Sequence, residues 1–375
     1  MDFIAIRHQL HQNAELSGLE FKSKDLITNY LKELSPDYIH TFPDSNNIIA
    51  EYIFSEKGKT ILFRCDMDAV PVKEELNLDY ASEDKTISHK CGHDGHVASM
   101  LSFAAKLASK PFKNGRILLF FQEGEELGIG AQKLIDSKFL DSYKIDEVYS
   151  FHNIPEEPLH SIIVKEGSFS CSVISCDIEL LGKTAHAAEP QKGISPLRAA
   201  ETIVNSILSL SNPNFNDIDY QIVTLIEMRI GEQAYGVSAG NGILRFTIRT
   251  FTDSKLQQLI KKIESIVYSI MAEFDEIKYH MEWLQYFAAN NNDIELIGEV
   301  MTIAKENFLE YKEKKYPFSW GEDFGIITQK YKGAMFGIGS GVNTAPLHHP
   351  LYDFPDSIID TATKMFFSIA HKSLN

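Results

Sequence analysis

Three histidines, a cysteine and an aspartate fall within the stretch His89-Lys90-Cys91-Gly92-His93-Asp94-Gly95-His96. Imidazole, thiol and carboxylate groups packed this densely are costly to bury unless they are paired or bind a metal. Their mixture suits Zn²⁺ or a neighbouring divalent ion such as Mn²⁺, Co²⁺ or Ni²⁺. The pairs His89/Cys91 and Cys91/His93 are each separated by one residue, which fits an extended loop with alternate side chains aimed at one centre. A closed structural zinc site would draw on two short Cys/His pairs, and the thiols here are too few for that. Downstream, Glu125-Glu126 follows an apolar run, so one carboxylate can bind a metal while the other faces water as a general base. Isolated histidines such as His160, His280 and His371 read as surface or hydrogen-bonded residues.

Such groups act together only if the elements carrying them end at one place. Apolar residues at helical spacing run through Phe3–Leu10 and Phe21–Leu34. Short apolar strands are predicted at Asn47–Ile53, Thr60–Phe63, Arg116–Phe121 and Glu147–Phe151, with a helix at His96–Leu107 between two of them. This alternation predicts an α/β layer with a largely parallel sheet, in which ligands gather beyond the carboxyl ends of the strands. Thr60–Phe63 leads into Arg64-Cys65-Asp66-Met67-Asp68, Arg116–Phe121 into Gln122 and on to Glu125-Glu126, and Glu147–Phe151 into His152. A further strand at Ala334–Ile338 leads through a glycine-rich loop to His348-His349.

The middle of the chain has a different order: a strand at Ser172–Leu181, a helix at Pro196–Leu210 with Ser195 placed to cap it, strands at Tyr220–Met228 and Ile243–Phe251, a helix at Ser254–Phe274 and a strand at Ile277–Leu284. This β-α-β-β-α-β order is that of a ferredoxin-like unit. The expected organisation is one α/β domain, residues 1–169 and 287–375, interrupted by an α+β domain over 170–286, with Asn290–Asn292 as a connector and a helix at Ile294–Tyr311.

With 375 residues, two domains are expected. Apolar residues at 44% and charged ones at 23% are ordinary for a globular chain. The net charge of −16 is spread along the sequence and argues against nucleic acid as a partner. No apolar run is long enough to span a bilayer and the first residues lack a signal-peptide core, so the cytoplasm is the expected location. Four cysteines in such a chain make no disulfide framework and fit a reducing compartment.

The sequence resembles the hippuricase type of N-acyl-amino-acid amidohydrolase, a branch of the aminoacylase and carboxypeptidase G group of dinuclear metallopeptidases. The resemblance rests on His11-Gln12-Asn13-Ala14-Glu15-Leu16-Ser17, Asp66-Met67-Asp68-Ala69-Val70-Pro71, Cys91-Gly92-His93-Asp94-Gly95-His96 and Phe121-Gln122 before Glu125-Glu126. It continues through Gly182 with His186-Ala187-Ala188, Gly321-Glu322-Asp323-Phe324, and Leu347-His348-His349-Pro350 before Tyr352-Asp353-Phe354. It implies a zinc-peptidase-like catalytic domain with the inserted domain as lid and dimer interface, so the chain would form a homodimer. Two divalent ions would be held by Cys91, His93, Glu126, His152 and His348, with Glu125 as general base. Asp68 would hold a ligand histidine in its tautomer, and His186 would reach an active site, often the partner subunit's. The implied reaction is hydrolysis of the amide of an N-acetyl or N-benzoyl amino acid, with Arg249 a candidate to grip the substrate carboxylate.

Three positions depart from the family pattern: Glu123-Gly124 before the paired glutamates, Gln191 where the lid commonly has a second histidine, and Gly236-Val237-Ser238-Ala239 in the lid. Two other readings stay open, a dipeptidase or aminopeptidase of the same group that recognises a free amine, and a non-catalytic binding protein that has lost its metals.

Overall fold

The computed structural model describes all 375 residues. The chain begins with helices α1 (Phe3–Gln12) and α2 (Phe21–Glu33), strands β1 (Tyr38–Thr41), β2 (Ile48–Ile53) and β3 (Thr60–Asp66), then α3 (His93–Leu107), β4 (Arg116–Gln122), α4 (Gly130–Asp136), β5 (Ile145–Ile154), β6 (Ile162–Val164) and β7 (Gly167–Ser168). The middle part holds β8 (Ser172–Leu181), β9 (Ala185–His186), α5 (Leu197–Leu208), β10 (Gln221–Ile230), β11 (Val237–Ser238), β12 (Asn241–Thr250), α6 (Asp253–Met271) and β13 (Lys278–Phe287). The last part adds β14 (Asn291–Asn292), α7 (Ile294–Glu306), β15 (Tyr311–Glu313), α8 (Phe324–Thr328), β16 (Gly333–Gly339) and α9 (Ile358–Leu374).

Residues 1–169, 290–315 and 322–375 form one compact unit. Its sheet has the order β1-β2-β4-β3-β5-β16-β6-β15. The four central strands β4, β3, β5 and β16 are parallel, whereas β1, β2 and the β16–β6 pair bring in antiparallel contacts, so the parallel part is the centre of a mixed sheet. Ile117-Leu118-Leu119-Phe120-Phe121 in β4 is buried without alternation, as a strand covered on both faces must be. Helices α1, α3, α7 and α9 supply much of the covering apolar surface, α3 packing against α9. The Asp2 side chain caps α1 by accepting from the amides of Ile4 and Ala5.

The second unit, residues 170–289 and 316–321, is an antiparallel sheet of order β10-β12-β8-β13 with a core shared with α5 and α6. The connections β8-α5-β10-β12-α6-β13 are those of the ferredoxin-like unit. Burial alternates along β8 and β12, which fits a sheet with one face under helices. Six residues beyond the insert, Tyr316–Gly321, also group with this unit.

Several elements differ in detail from the sequence reading. The helix predicted to start at His96 starts at His93, because Gly92 turns the chain at φ +95°. The helix predicted over Ile294–Tyr311 stops at Glu306, since Phe308 takes a left-handed φ of 58° and Tyr311 enters β15. The N-cap of α5 is Pro196, and the Ser195 hydroxyl only accepts from the amide of Leu197 at 3.4 Å. Helix α9 was not anticipated.

Candidate metal centre

The carboxyl ends of the parallel strands bring the chemistry together. β3 ends at Asp66 and delivers Asp68 two residues later, β4 ends at Gln122 before Glu125 and Glu126, and His152 lies near the end of β5. Past β16, His348 joins the loop that carries Cys91, its amide donating to the carbonyl of Lys90 at 2.8 Å. His348 does this at φ 62°, a left-handed conformation that costs a non-glycine residue about 1–3 kcal/mol and is kept where the surroundings demand it.

Five groups of potential donor atoms result, and two of them overlap at Cys91, one from Cys91, His93 and His152 and one from Cys91, Glu126 and His348, each with its atoms within 4.8 Å of one another. The thiol is common to both. Cys91, His93 and His152 are buried, whereas the His348 side chain is half exposed and that of Glu126 is 17% exposed, so the centre is walled on one side and open on the other. Open access of this kind is what separates catalytic from closed structural metal sites.

The hydrogen bonds of the imidazoles suit metal binding. Nδ1 of His93 lies 3.0 Å from the Asp68 carbonyl and 3.1 Å from its carboxylate, while Nε2 is buried with no hydrogen-bond partner. Nδ1 of His152 is 2.8 Å from the carbonyl of Asn153, and its Nε2 is 3.6 Å from the Cys91 sulfur. With Nδ1 donating in each case, Nε2 keeps the lone pair that a metal takes. The residues therefore fit divalent cations, which these donor groups would hold.

The electrostatics agree with that fit. Glu125, on the one-turn helix Glu125–Leu127, is raised well above the usual carboxylate range by burial and by Glu322, Glu126 and Asp323 around it. Burial, then Glu126 and Glu125, push the Cys91 thiol up. Burial alone would lower His93, but Asp66 and Asp68 lift it to about 10. This much negative charge in one buried place calls for cations.

A supporting layer went unassigned in the sequence reading. Arg64 is fully buried and its guanidinium meets Asp66 at 2.8 Å, Glu322 at 2.9 Å and Asp323 at 2.8 Å. Asp323 is tied onward to Gln122 at 2.7 Å, and its amide reaches Glu125 at 3.4 Å. His96 is held by Asp66 at 2.5 Å and by Asn153. Glu20 accepts from the amides of Gly18 and Gly124, and burial followed by the charge of Asp68 raises it to about 7. The available signal was charge clustering just past strand ends, in Arg64-Cys65-Asp66 and Glu322-Asp323.

Other expectations resolve as follows. His89 does not share the ligand cluster: it is 2% exposed with both ring nitrogens unpartnered, because the left-handed Gly92 breaks the extended alternation that would have aimed it at Cys91's centre. His186 is exposed on β9 of the second unit, its Nδ1 accepting from the amide of Ala188. Arg249, also of the second unit, donates to the carbonyl of Ser319 at 3.0 Å, and its burial pulls its pKa down. Among the isolated histidines, His160 is bonded to Thr361. All four cysteines are free and buried.

The model of Peptidase family M20/M25/M40 matches residues 62–372. The chain is 30% identical over 384 residues to an N-acetyldiaminopimelate deacetylase of Lacticaseibacillus casei, covering 100% of this chain and 98% of that protein. It is 29% identical over 378 residues to a hippurate hydrolase of Campylobacter jejuni, covering 100% and 97%. Among solved structures, the Bacillus subtilis YXEP protein, a dinuclear metal-binding peptidase of the M20 family, superposes with a TM-score of 0.82 at 26% identity, covering 99% of this chain and 97% of that one.

Proposed function

The chain belongs to peptidase family M20/M25/M40, and from that premise we propose that it hydrolyses the amide bond of N-acyl amino acids, releasing a carboxylate and a free amino acid. The observation that carries this reading is the double donor group around Cys91 with Glu125 beside it. Two divalent ions, zinc or else manganese, cobalt or nickel, held by Cys91, His93, Glu126, His152 and His348, would supply Lewis acidity toward the amide carbonyl and toward water. Glu125 takes the proton of the attacking water as the new C–O bond forms and returns it to the amine nitrogen as the C–N bond breaks. Asp68 keeps His93 in the tautomer that leaves Nε2 free. His186 stabilises the oxyanion and Arg249 grips the substrate carboxylate through its forked donors.

With this reading go a homodimer formed through the inserted unit and a cytoplasmic location, the latter supported by four free, buried thiols. No helix is long and apolar enough to cross a membrane. The test is amine release from a panel of N-acetyl and N-benzoyl amino acids and dipeptides, with protein reconstituted with each metal and Glu125→Gln as control. Metal-dependent release that vanishes in the control is expected. Release from dipeptides alone would move the assignment to a dipeptidase, and no release together with less than one equivalent of bound metal would overturn it.

A further inference from the structure

Beside Glu126 and His348, and formed wholly by the first unit, lies a recess of about 490 Å³. That is within the roughly 300–1,000 Å³ of small-molecule sites. Its lining includes Leu16, Leu19, Val70, Val72 and Leu127 together with Glu126 and His348. Leu19 is 55% and Leu127 40% exposed. Large aliphatic side chains left open to water around a concavity, next to a cluster of metal-binding donors, mark a surface that a ligand covers. The one hydroxyl among the lining residues, that of Ser17, is already committed to Asp68 at 2.6 Å.

The lining of the recess decides which half of the substrate enters. Its walls are aliphatic and no lysine or arginine lines it. The amino-acid half carries a carboxylate beside the scissile amide, which aliphatic walls would leave unpaired. The acyl half carries no charge. We propose that this recess is the acyl subsite and that it selects apolar acyl groups longer than acetyl, with Leu19 and Leu127 as specificity-determining residues. The inference rests on the reading of the chain as an N-acyl-amino-acid hydrolase.

An acetyl group leaves most of such a recess to water, whereas each added methylene removes more aliphatic wall from solvent. In a hydrophobic pocket one methylene discriminates by roughly 10–200-fold; with walls half open, the lower end of that range is expected for the whole change from acetyl to hexanoyl. The experiment compares kcat/KM for N-acetyl, N-butanoyl, N-hexanoyl and N-benzoyl derivatives of one amino acid, on the metal-loaded enzyme and on Leu19→Asp. Calorimetric binding of the same ligands to metal-loaded Glu125→Gln supplies a readout without turnover.

The expected result is a rise of about tenfold from acetyl to hexanoyl in both kcat/KM and affinity. Leu19→Asp should abolish that rise. A flat or acetyl-favouring series overturns the inference while the functional reading stands. So does a Leu19→Asp loss that is equal for all chain lengths. No turnover and no binding of any N-acyl amino acid overturns both.

Discussion

Asp68 serves three neighbours at once: its carboxylate meets His93 Nδ1 at 3.1 Å, the Ser17 hydroxyl at 2.6 Å and the amide of Glu126 at 3.0 Å. It thereby fixes two proposed ligands from behind. Asp68→Ala is expected to weaken metal binding by about 10–100-fold, as loss of such outer partners does, and competition with a chelator would measure it. Unchanged affinity would leave Asp68 a merely structural role. Glu125→Gln should instead keep full metal stoichiometry and lower kcat by about 10²–10⁴, read by metal analysis and amine release on one sample. Away from the centre, His11 lies between Asp94 at 2.8 Å and Glu74 at 2.9 Å. Burial alone would lower its pKa, but these hydrogen bonds outweigh it and raise it to about 9. The folded chain therefore keeps a proton that the unfolded chain releases near 6.5. The stabilisation, on the order of 3 kcal/mol, is complete below that value and is lost as pH rises through about 9. Thermal melts across this window should fall for the wild type and stay flatter for His11→Asn. From residue types alone the dense His89–His96 stretch stood out, because such groups are expensive to bury, whereas the five proposed ligand positions came from the resemblance. The Arg64 network could not be assigned, since an arginine next to an aspartate reads the same whether it is a surface pair or, as here, fully buried among three carboxylates.

The turn at Gly92 decides how α3 meets the sheet. Its φ of +95° suits glycine, and an added Cβ would stand 2.8 Å from the Asn153 side chain. Gly92→Ala is expected to destabilise the fold by about 1–3 kcal/mol and to loosen metal binding as well, because Cys91 and His93 flank it. Denaturant titration with and without metal would check this, and a neutral outcome would show that the loop can take another path. Strands such as β4 and β8 were visible because continuous or alternating apolar residues leave few other conformations. Helix α9 was not visible, as its Ile-Ile-Asp-Thr-Ala-Thr opening is weak in helix propensity and its stability comes from packing on α3. Register and the mixed sheet order also lay beyond local pattern, being set by contacts between distant segments.

At the scale of the molecule, the five proposed ligands and Glu125 all belong to the first unit, whereas His186 and Arg249 belong to the second. If His186 serves the partner subunit's centre, His186→Ala and Glu125→Gln, each inactive alone, should restore amine release when mixed under conditions that exchange subunits. Continued silence, with exchange shown by labelled subunits, would confine His186 to its own chain or to no catalytic part. The position of β16 has a further consequence for biosynthesis. This strand is seated between β5 and β6 at the heart of the sheet, yet the ribosome makes Gly333 about 180 residues after Ile154. At roughly 5–20 residues per second, the nascent β5 waits on the order of 10–40 s with one row of backbone groups unpaired. During that wait the whole inserted unit emerges and can fold. The vacancy is an open template for wrong pairing, so slow translation before Gly333 should lower the soluble yield, and faster decoding or a holding chaperone should recover it.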